Sequence, residues 1–376
     1  MHVACTQENL LQGLSLVSHI AGKNSNLPIL SHVLLKTDGG GLKLSATNLE
    51  MAVSAQVRGK IEATGEFTVP VKLLQDYITL LPSGKVELVV QDDVLEIVSD
   101  GKKTTIKGMP SSEFPLLPKL VGDGGYKIEA EVLREAIDQV AFAVSSSESR
   151  PELGGVACYF NVFGPGALVM AATDSYRLTE RIVKLAAGNP TGELRCIVPA
   201  KAMQEAARIL SIYKDEVATP EEVVWTMNES QLVMNYGSVE LISRLIEGSF
   251  PDYRQIIPTE TATTAVVARR ELAKAIRAAA LFARQGIFDV HLEVLADGRL
   301  KIASSDSGTG THSDAIQASV DGGENAVTVN FKYMMDGLSA LRGNEVVIKL
   351  IDAMNPVLLQ EKDGEDYRYI VMPIRQ

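Results

Sequence analysis

The chain has 376 residues, of which 46% are hydrophobic and 22% charged, and its formal net charge is −11. One hydrophobic core rarely serves so long a chain, so the length predicts about three domains of ordinary size. No stretch approaches the run of about 20 apolar residues that spans a bilayer, which excludes a helical membrane protein and indicates a globular one.

The chain begins with a predicted strand and a helix, and this pair recurs twice further on. In the first helix, Leu10, Leu14 and Val17 have the spacing of one buried helix face. The corresponding helix starts are residues 8–11, 131–134 and 270–273. The similarity predicts three repeats of about 125 residues each.

Two further landmarks recur in the same order. Ala46-Thr47-Asn48, Ala172-Thr173-Asp174 and Ser304-Ser305-Asp306 are offset by 126 and 132 residues. Val69-Pro70-Val71, Val198-Pro199-Ala200 and Val329-Asn330-Phe331 are offset by 129 and 131 residues. A second helix is predicted after the latter landmark in each repeat, over residues 72–81, 201–212 and 331–341.

The segments between and after the helices alternate in polarity as strands do. They include residues 86–90, 95–98, 223–225, 231–234 and 346–350. Pro- and Gly-rich segments at 108–118 and 248–258 close the first two repeats, so the domains are predicted at 1–122, 125–250 and 254–376. Each domain is predicted to be α+β, with two helices packed on antiparallel sheet.

The ends of such a repeat array leave strand edges without partners. Exposed edges recruit other strands, so self-association is expected. A head-to-tail contact between the first and third repeats closes into a ring or continues as a filament, depending on the rotation per step.

Signatures of catalysis and metal binding are absent from the sequence. It has no G-x-x-x-x-G-K-[ST] loop, no G-x-S-x-G elbow and no H-E-x-x-H motif. The five histidines are scattered, and the three cysteines form no C-x-x-C pair and are expected to be reduced. We therefore expect no metal, no cofactor and no enzyme activity.

One motif keeps an enzymatic alternative open. Asp306-Ser307-Gly308-Thr309 resembles the loop in which aspartic proteases hold a catalytic carboxylate. That chemistry needs a second carboxylate, and the polar residues before Asp306 are unlike those of the proteases. A polar turn is the simpler interpretation, and a repeat scaffold that binds only proteins is a further alternative.

The N-terminal sequence lacks the basic region, apolar run and cleavage site of a signal peptide. We therefore expect a cytoplasmic protein.

The charge is distributed unevenly. The six predicted helices and the residues beside them contain twelve basic and nine acidic residues, a net charge of +3. The rest of the chain therefore carries a net charge of −14. The helices are therefore the candidates for contact with a polyanion. For any single residue, a solvated helix face is the simpler interpretation.

The segment Thr173-Asp174-Ser175-Tyr176-Arg177-Leu178 follows an apolar strand. Two interpretations stay open. It is a structural turn in which Asp174 accepts hydrogen bonds from local N–H groups, or it is a peptide-docking pocket, because Tyr and Arg are enriched where partners anchor.

Five short motifs occur in the order and spacing of one known family. They are Asn26-Leu27-Pro28-Ile29-Leu30, Ala46-Thr47-Asn48-Leu49-Glu50, Ala172-Thr173-Asp174-Ser175-Tyr176-Arg177-Leu178, Phe250-Pro251-Asp252-Tyr253-Arg254 and Val371-Met372-Pro373-Ile374-Arg375. Through them the chain resembles, from end to end, the beta subunit of bacterial DNA polymerase III, the DNA sliding clamp family. The resemblance implies three clamp domains per chain and a head-to-tail homodimer ring, which encircles double-stranded DNA without sequence preference and tethers the polymerase.

Helix count supports a ring of two chains. Twelve helices spaced about 9 Å apart give a circumference near 108 Å, or roughly 34 Å between opposite axes. Removing about 10 Å for two helix radii leaves roughly 24 Å, enough for a duplex about 20 Å across. Six helices from one chain would leave only about 7 Å by the same arithmetic.

The resemblance also implies an apolar pocket into which partners insert a short peptide motif. Matched by motif, its residues are Leu153, Thr173, Ser175, Tyr176, Arg177, Leu178, Pro251, Gln255, Ile256, Pro356, Ile370, Met372, Pro373, Ile374 and Arg375. Ser175, Tyr176, Gln255 and Gln376 depart from the family pattern, which leaves the preferred motif open.

DNA and dimer contacts are implied by position. The expected DNA contacts are Lys23, Asn24, Arg150 and Lys201, to which charge adds Arg269, Lys274 and Arg277. The expected dimer contacts are Lys103, Thr104 and Ile106 against Ala280 and Leu281. Implied partners are the replicative polymerase catalytic subunit, the clamp loader, other DNA polymerases, ligase and mismatch-repair proteins. The chain would associate with the nucleoid during replication.

Overall fold

The computed structural model of the chain describes residues 1–22, 27–118, 125–215 and 217–375. The expected DNA contacts Lys23 and Asn24 lie outside these residues, as does Gln376. The chain divides into two compact units. The first unit comprises Met1–Arg134, Leu185–Pro190 and Gln204–Leu245, and the second comprises Glu135–Lys184, Thr191–Met203 and Ile246–Gln376.

Six α-helices lie in the described residues, two in each predicted domain. They are α1 Gln7–Val17, α2 Val71–Thr79, α3 Ala130–Val140, α4 Ala200–Ile212, α5 Arg269–Ala280 and α6 Phe331–Ala340. α2, α4 and α6 begin at the three recurring strand-to-helix landmarks, as the repeat predicts. No helix in the described residues is both long and apolar enough to cross a bilayer.

The described residues also contain 24 strands. Those of the first two thirds are β1 His2–Thr6, β2 His32–Asp38, β3 Gly41–Thr47, β4 Met51–Ala63, β5 Glu66–Pro70, β6 Lys85–Gln91, β7 Val94–Ser99, β8 Lys102–Lys107, β9 Tyr126–Glu129, β10 Gly155–Phe160, β11 Ala167–Thr173, β12 Arg177–Lys184, β13 Leu194–Pro199, β14 Glu222–Met227, β15 Gln231–Tyr236 and β16 Val239–Arg244. The remainder are β17 Thr263–Ala268, β18 Asp289–Leu295, β19 Arg299–Asp306, β20 Gly310–Gly322, β21 Asn325–Asn330, β22 Glu345–Leu350, β23 Val357–Glu361 and β24 Tyr367–Val371.

The first unit is built on one antiparallel sheet of 12 strands. Its main path runs β8-β7-β6-β1-β4-β16-β15-β14-β9, with β2, β3 and β5 joined through β4. α1 packs against β4 and buries Leu10, Leu14 and Val17, the residues whose spacing predicted a buried face.

The second unit is built on another 12-stranded sheet, in the order β13-β10-β11-β12-β24-β23-β22-β17-β20-β19-β18-β21. α5 and α6 pack on one face of its C-terminal half. Leu272 and Ile276 of α5 and Met334 and Leu338 of α6 enter a core with the strands. The apolar stripe of each helix is buried because it covers the apolar face of the sheet.

The predicted α+β class with three repeated domains, each with two helices on antiparallel sheet, is confirmed. The compact units, however, do not follow the three domains. β9 and β14 to β16 of the central domain lie in the first sheet, and β10 to β13 lie in the second. The reason is that β16 pairs with β4 and β12 pairs with β24, so hydrogen-bonded strands join neighbouring domains.

The charge assigned to the helices is corrected by their bounds. Lys23 lies outside the described residues, Arg284 and Arg342 lie beyond the ends of α5 and α6, and Glu129 ends β9. The six helices hold nine basic and eight acidic residues, a net of +1 rather than +3. α5 alone holds four basic residues and one acidic residue, so the basic character is concentrated on one helix.

Candidate partner-binding and nucleic-acid surfaces

One face of the second unit's sheet carries an apolar cluster. Its buried members are Ala157, Tyr159, Val169, Ala171, Leu178, Tyr253, Leu358 and Ile370, with Val162, Ile182, Phe250, Ile256 and Ile257 packed against them. Leu178 of β12 and Ile370 of β24 lie directly opposite each other. The cluster therefore brings together three residues of the expected pocket, Leu178, Ile256 and Ile370, as an apolar floor.

The turn that follows β11 is held by its own side chains. The Thr173 hydroxyl donates to the Arg177 carbonyl at 2.6 Å and accepts from the Ser175 N–H at 3.0 Å. The Asp174 carboxylate accepts from the N–H groups of Tyr176 and Arg177 at 2.9 and 3.0 Å. These bonds confirm a structural turn, and the turn presents Tyr176 with 63% of its surface exposed.

The same turn occurs at the corresponding position of the other two domains. Asn48 accepts from the N–H groups of Glu50 and Met51, and Asp306 accepts from those of Gly308 and Thr309. The protease-like motif at Asp306 is therefore the third copy of a repeated polar turn. No group of three or more His, Cys, Asp or Glu side chains in the described ranges is placed to hold a metal ion.

Arg177 is engaged within the unit. Its guanidinium donates to Asp174 at 3.0 Å, to the Phe142 carbonyl at 3.0 Å and to Asp336. It also lies 4.8 Å from the ring centroid of Tyr333. Because the Tyr333 ring stacks on the exposed Tyr176 at a centroid distance of 6.4 Å, Arg177 supports this aromatic pair.

The C-terminal segment runs beside this turn. The Met372 N–H donates to the Tyr176 carbonyl at 2.9 Å, and the Ile374 N–H donates to the Thr328 carbonyl at 2.8 Å. Met372, Pro373 and Ile374 are half-buried and Arg375 is exposed. The expected pocket residues of β12, β24 and the C-terminal segment therefore meet at one place.

The remaining expected pocket residues lie at different depths. Pro251 and Pro356 are half-buried, and exposed Gln255 donates to Asp252 at 2.7 Å. Leu153 is buried in the short 3-10 turn Pro151–Gly154 before β10 and is not a member of the apolar cluster.

A buried carboxylate fixes the segment that carries Ile256. Glu180 of β12 is 1% exposed and accepts from the Tyr253 hydroxyl at 2.7 Å, from Arg254 at 3.2 Å and from Arg368 at 3.1 Å. Burial, with the Glu180 charge beside it, raises the pKa of the Tyr253 hydroxyl, which therefore stays protonated and donates. We call Glu180, Tyr253, Arg254 and Arg368 the Glu180 network.

The Glu180 network was missed by the sequence analysis. The sequence contained a signal for it, namely Glu180 between the apolar residues Leu178 and Ile182 of β12. Both of these residues pack in the apolar cluster. Side chains two residues apart in a strand share one face. A carboxylate at such a position is buried and requires partners.

α5 presents a basic stripe. Arg270, Lys274 and Arg277 are exposed, and their spacing of four and three residues places them on one helix face. Arg269 lies elsewhere, since its guanidinium donates to the carbonyls of Gly343 at 2.8 Å and Leu338 at 3.1 Å. Arg269 thus holds the end of α6. Arg270 belongs to the exposed basic stripe in its place, and the helical spacing of Arg270, Lys274 and Arg277 in the sequence could have identified it.

The two other expected DNA contacts in the described residues differ in their surroundings. Lys201 is exposed in the first turn of α4. Arg150 is exposed but donates to Glu152 at 3.1 Å and to the Ser175 hydroxyl at 3.4 Å, so it lies beside the turn at Tyr176.

The expected dimer contacts in the first unit lie on β8, which ends the sheet. Lys103 pairs with Glu96 at 3.2 Å, and the Thr104 hydroxyl donates to the Tyr77 hydroxyl at 2.7 Å. Ile106 is only 4% exposed, so its side chain packs inside the unit. The neighbouring α2 exposes Leu73, and Leu80 directly after the helix is also exposed; the sequence analysis identified neither residue.

In the second unit, Ala280 is half-buried and Leu281 is 75% exposed at the end of α5. The nearby part of β20 has a free side. Residues 310–317 pair with β19 and residues 318–322 pair with β17. Within the described residues, no second strand pairs with residues 310–314.

Comparison with known proteins gives one result along the whole chain. The family models of the DNA polymerase III beta subunit match residues 1–118 (N-terminal domain), 127–252 (central domain) and 254–375 (C-terminal domain). The beta sliding clamp of Synechococcus elongatus is 30% identical over 379 residues, which cover 100% of this chain and 99% of that protein.

Solved structures agree. The DNA polymerase III subunit beta from Pseudomonas aeruginosa has a TM-score of 0.93 at 28% identity, with 100% of both chains covered. The DNA polymerase sliding clamp from Bacillus subtilis has a TM-score of 0.92 at 26% identity, with 100% of this chain and 99% of that chain covered. The chain belongs to the DNA polymerase III beta subunit family, the bacterial DNA sliding clamps.

Proposed function

We propose that this sliding clamp works as a homodimeric ring, in which two copies joined head to tail encircle duplex DNA and tether the replicative polymerase without catalysis of their own. The observation that carries the proposal is that β8 and residues 310–314 of β20 each present a strand edge with no partner strand in the described residues. The experiment that tests it is measurement of the oligomeric state after substitution beside one edge.

The repeat indicates what each edge lacks. β16 covers residues 51–55 of β4, and β24 covers residues 177–181 of β12. Residues 310–314 of β20 hold the corresponding position in the third domain, and β8 is the first domain's counterpart of β16 and β24. A strand edge recruits a partner, so β8 of one copy fits β20 of another. Two such contacts between unlike surfaces close a ring of two chains.

Exposed apolar side chains flank both edges. Leu80 directly follows α2, which contacts β8 through Tyr77 and Thr104, and is 82% exposed. Leu281 directly follows α5, which packs against β20, and is 75% exposed. Single exposed leucines are ordinary, but each of these follows a helix that packs beside an open strand edge, where an interface would bury it. Lys102, Lys103 and Lys107 make β8 basic, whereas the open edge of β20 carries Asp314. Opposite charges favour the head-to-tail pairing over pairing of like edges.

For DNA we propose the stripe of Arg270, Lys274 and Arg277 as the principal contact, with Lys201 and Lys23 in support. Lysine and arginine bind phosphates without reading bases, which suits a protein that must move along any sequence. The excess acidic charge of the remaining chain opposes binding of DNA elsewhere.

For partners we propose the junction of β12, β24 and the C-terminal segment as the docking site. Leu178, Ile370 and Ile256 supply an apolar floor, and Tyr176 and Met372 supply an adjustable rim. The replicative polymerase catalytic subunit, the clamp loader, other polymerases, ligase and mismatch-repair proteins would each use this site through a short peptide segment. The Asp306 hydrolase is not retained, because that loop is a repeated structural turn.

The first prediction concerns the interface. Leu281→Asp places a carboxylate where the second copy would bury a leucine, and uncompensated burial of a charge costs several kcal/mol. The dimer should weaken by at least about 100-fold, which corresponds to roughly 3 kcal/mol. Light scattering after gel filtration measures the mass of the wild type and the variant across a dilution series.

The matched control is Leu116→Asp, since Leu116 is 99% exposed and lies outside both proposed edges. It should remain dimeric. A Leu281→Asp protein that keeps the wild-type dimer mass at every concentration would refute the proposed interface.

The second prediction separates two adjacent arginines. Arg270→Ala should shorten residence on DNA and lower the salt dependence by about one phosphate contact, with the melting temperature unchanged. Arg269→Ala removes two hydrogen bonds to carbonyls and should lower the free energy of unfolding by about 1–3 kcal/mol, with the salt dependence unchanged. Residence times at several salt concentrations and thermal melts measure both quantities. A reduced salt dependence for Arg269→Ala, together with an unchanged salt dependence for Arg270→Ala, would show that Arg269 faces the DNA.

The third prediction concerns the Glu180 network. Tyr253→Phe removes one hydrogen bond to a buried carboxylate, worth about 1.5–3 kcal/mol, and frees the segment that carries Ile256. The affinity for a fluorescent peptide bearing the polymerase's clamp-binding segment should fall by about tenfold, roughly 1.4 kcal/mol. Fluorescence polarisation measures it.

The matched control is Tyr213→Phe, because Tyr213 is also buried and its hydroxyl also donates to a carboxylate, Asp215, at 3.3 Å. It lies in the first unit and should leave peptide affinity unchanged. Equal peptide affinities of the wild type and Tyr253→Phe would show that the Glu180 network does not contribute to peptide binding.

A further inference from the structure

Two cysteines lie directly opposite each other in the second unit. Cys158 of β10 and Cys196 of β13 form a register pair in antiparallel strands, and both are present as thiols, as is Cys5. Opposite residues in such strands have Cα atoms about 4.5–5.5 Å apart. Disulfides join Cα atoms about 4.4–6.8 Å apart, so the backbone already has the spacing that a disulfide requires.

The two side chains share one face of the sheet. Ala157 and Tyr159, which flank Cys158 in β10, belong to the apolar cluster on one face, so Cys158 points to the other. Register-paired residues point to the same side of a sheet, which places Cys196 beside it. Burial, with a hydrogen bond involving the Cys196 thiol, raises the pKa of Cys158 well above its ordinary value.

The pair is unequal in access to solvent. Cys158 is fully buried, whereas Cys196 is half-buried on β13, the strand that ends the sheet. A thiol must be reached and deprotonated before it reacts with an oxidant. Cys196 is therefore the thiol that a small oxidant meets first, and Cys158 is positioned to resolve the product.

We propose that Cys158 and Cys196 form a reversible disulfide when the protein meets hydrogen peroxide. The Cys196 thiolate attacks one peroxide oxygen, the O–O bond breaks, and the released hydroxide takes up a proton as water. The resulting sulfenic acid is attacked by the Cys158 sulfur. The S–O bond breaks, and the hydroxide leaves with the Cys158 proton as a second water.

In sum, two thiols are oxidised and one peroxide is reduced to two water molecules. A dithiol such as dithiothreitol reverses the reaction by thiol–disulfide exchange. The disulfide would link the edge strand β13 covalently to β10, three residues before β13 ends at Pro199 and α4 begins.

The test uses the full-length protein. It is treated with hydrogen peroxide, alkylated with iodoacetamide, digested without reduction and examined by mass spectrometry. The expected result is one linked pair of peptides containing Cys158 and Cys196, which is lost after dithiothreitol treatment. The oxidised protein should also melt at a higher temperature than the reduced protein.

Variants assign the roles. Cys196→Ser should abolish both the link and sulfenic acid trapping by dimedone, whereas Cys158→Ser, or Cys158→Ala if serine impairs folding, should leave a dimedone adduct on Cys196. Cys5→Ser is the matched control and should form the link as the wild type does. Absence of the linked peptides at a peroxide dose that oxidises methionine, or links that form equally well to Cys5, would overturn the proposal.

Discussion

The constraint on which the structure depends is that the free N–H and C=O groups of an exposed β-strand edge recruit another strand. In this chain the edge of β4 is completed by β16, and the edge of β12 by β24. The third domain repeats the same edge in β20, but the described residues hold no further strand to complete it. At the other end of the repeat, β8 pairs with β7 and has no second partner strand in the described residues. A threefold repeat with this pairing rule is therefore incomplete as a single chain, and the proposed dimer follows from backbone hydrogen bonding before any side chain is considered.

The surfaces follow from the same arrangement. Helices cover the apolar face of each sheet, and α5 concentrates basic charge on its exposed side. The DNA contact that we propose is therefore local, and the net charge of −11 would oppose binding of DNA elsewhere. On the other face of the second sheet, the segment around Tyr253 is fastened by the Glu180 network. In the docking site that we propose, an apolar floor next to a segment held in place would lower the free-energy cost of ordering the site when a peptide binds.

Much of the fold could be predicted because it is encoded locally. The strand-to-helix junctions at Pro70, Pro199 and Asn330 and the buried faces of the helices are set by residues close in sequence. The division into two sheets could not be predicted, because strand pairing across domain boundaries is not visible in spacing alone. The sequence did not separate Arg269, whose guanidinium bonds to carbonyls at the end of α6, from Arg270, which is exposed, because neighbouring arginines differ only in which helix face they occupy. Glu180 was missed because its partners Tyr253 and Arg368 lie 73 and 188 residues away.

In the proposed function, the closed dimer stays on DNA because it encircles the duplex, not because it binds the duplex tightly. The most direct measurement loads the protein with a clamp loader onto nicked circular DNA, linearises the circle with a restriction enzyme and follows the bound fraction by gel filtration. The account predicts retention on the circle, loss from the linear DNA within the time needed to slide to an end, and retention again when both ends are blocked by bound protein. Equal retention on circular DNA and on linear DNA with free ends would contradict it.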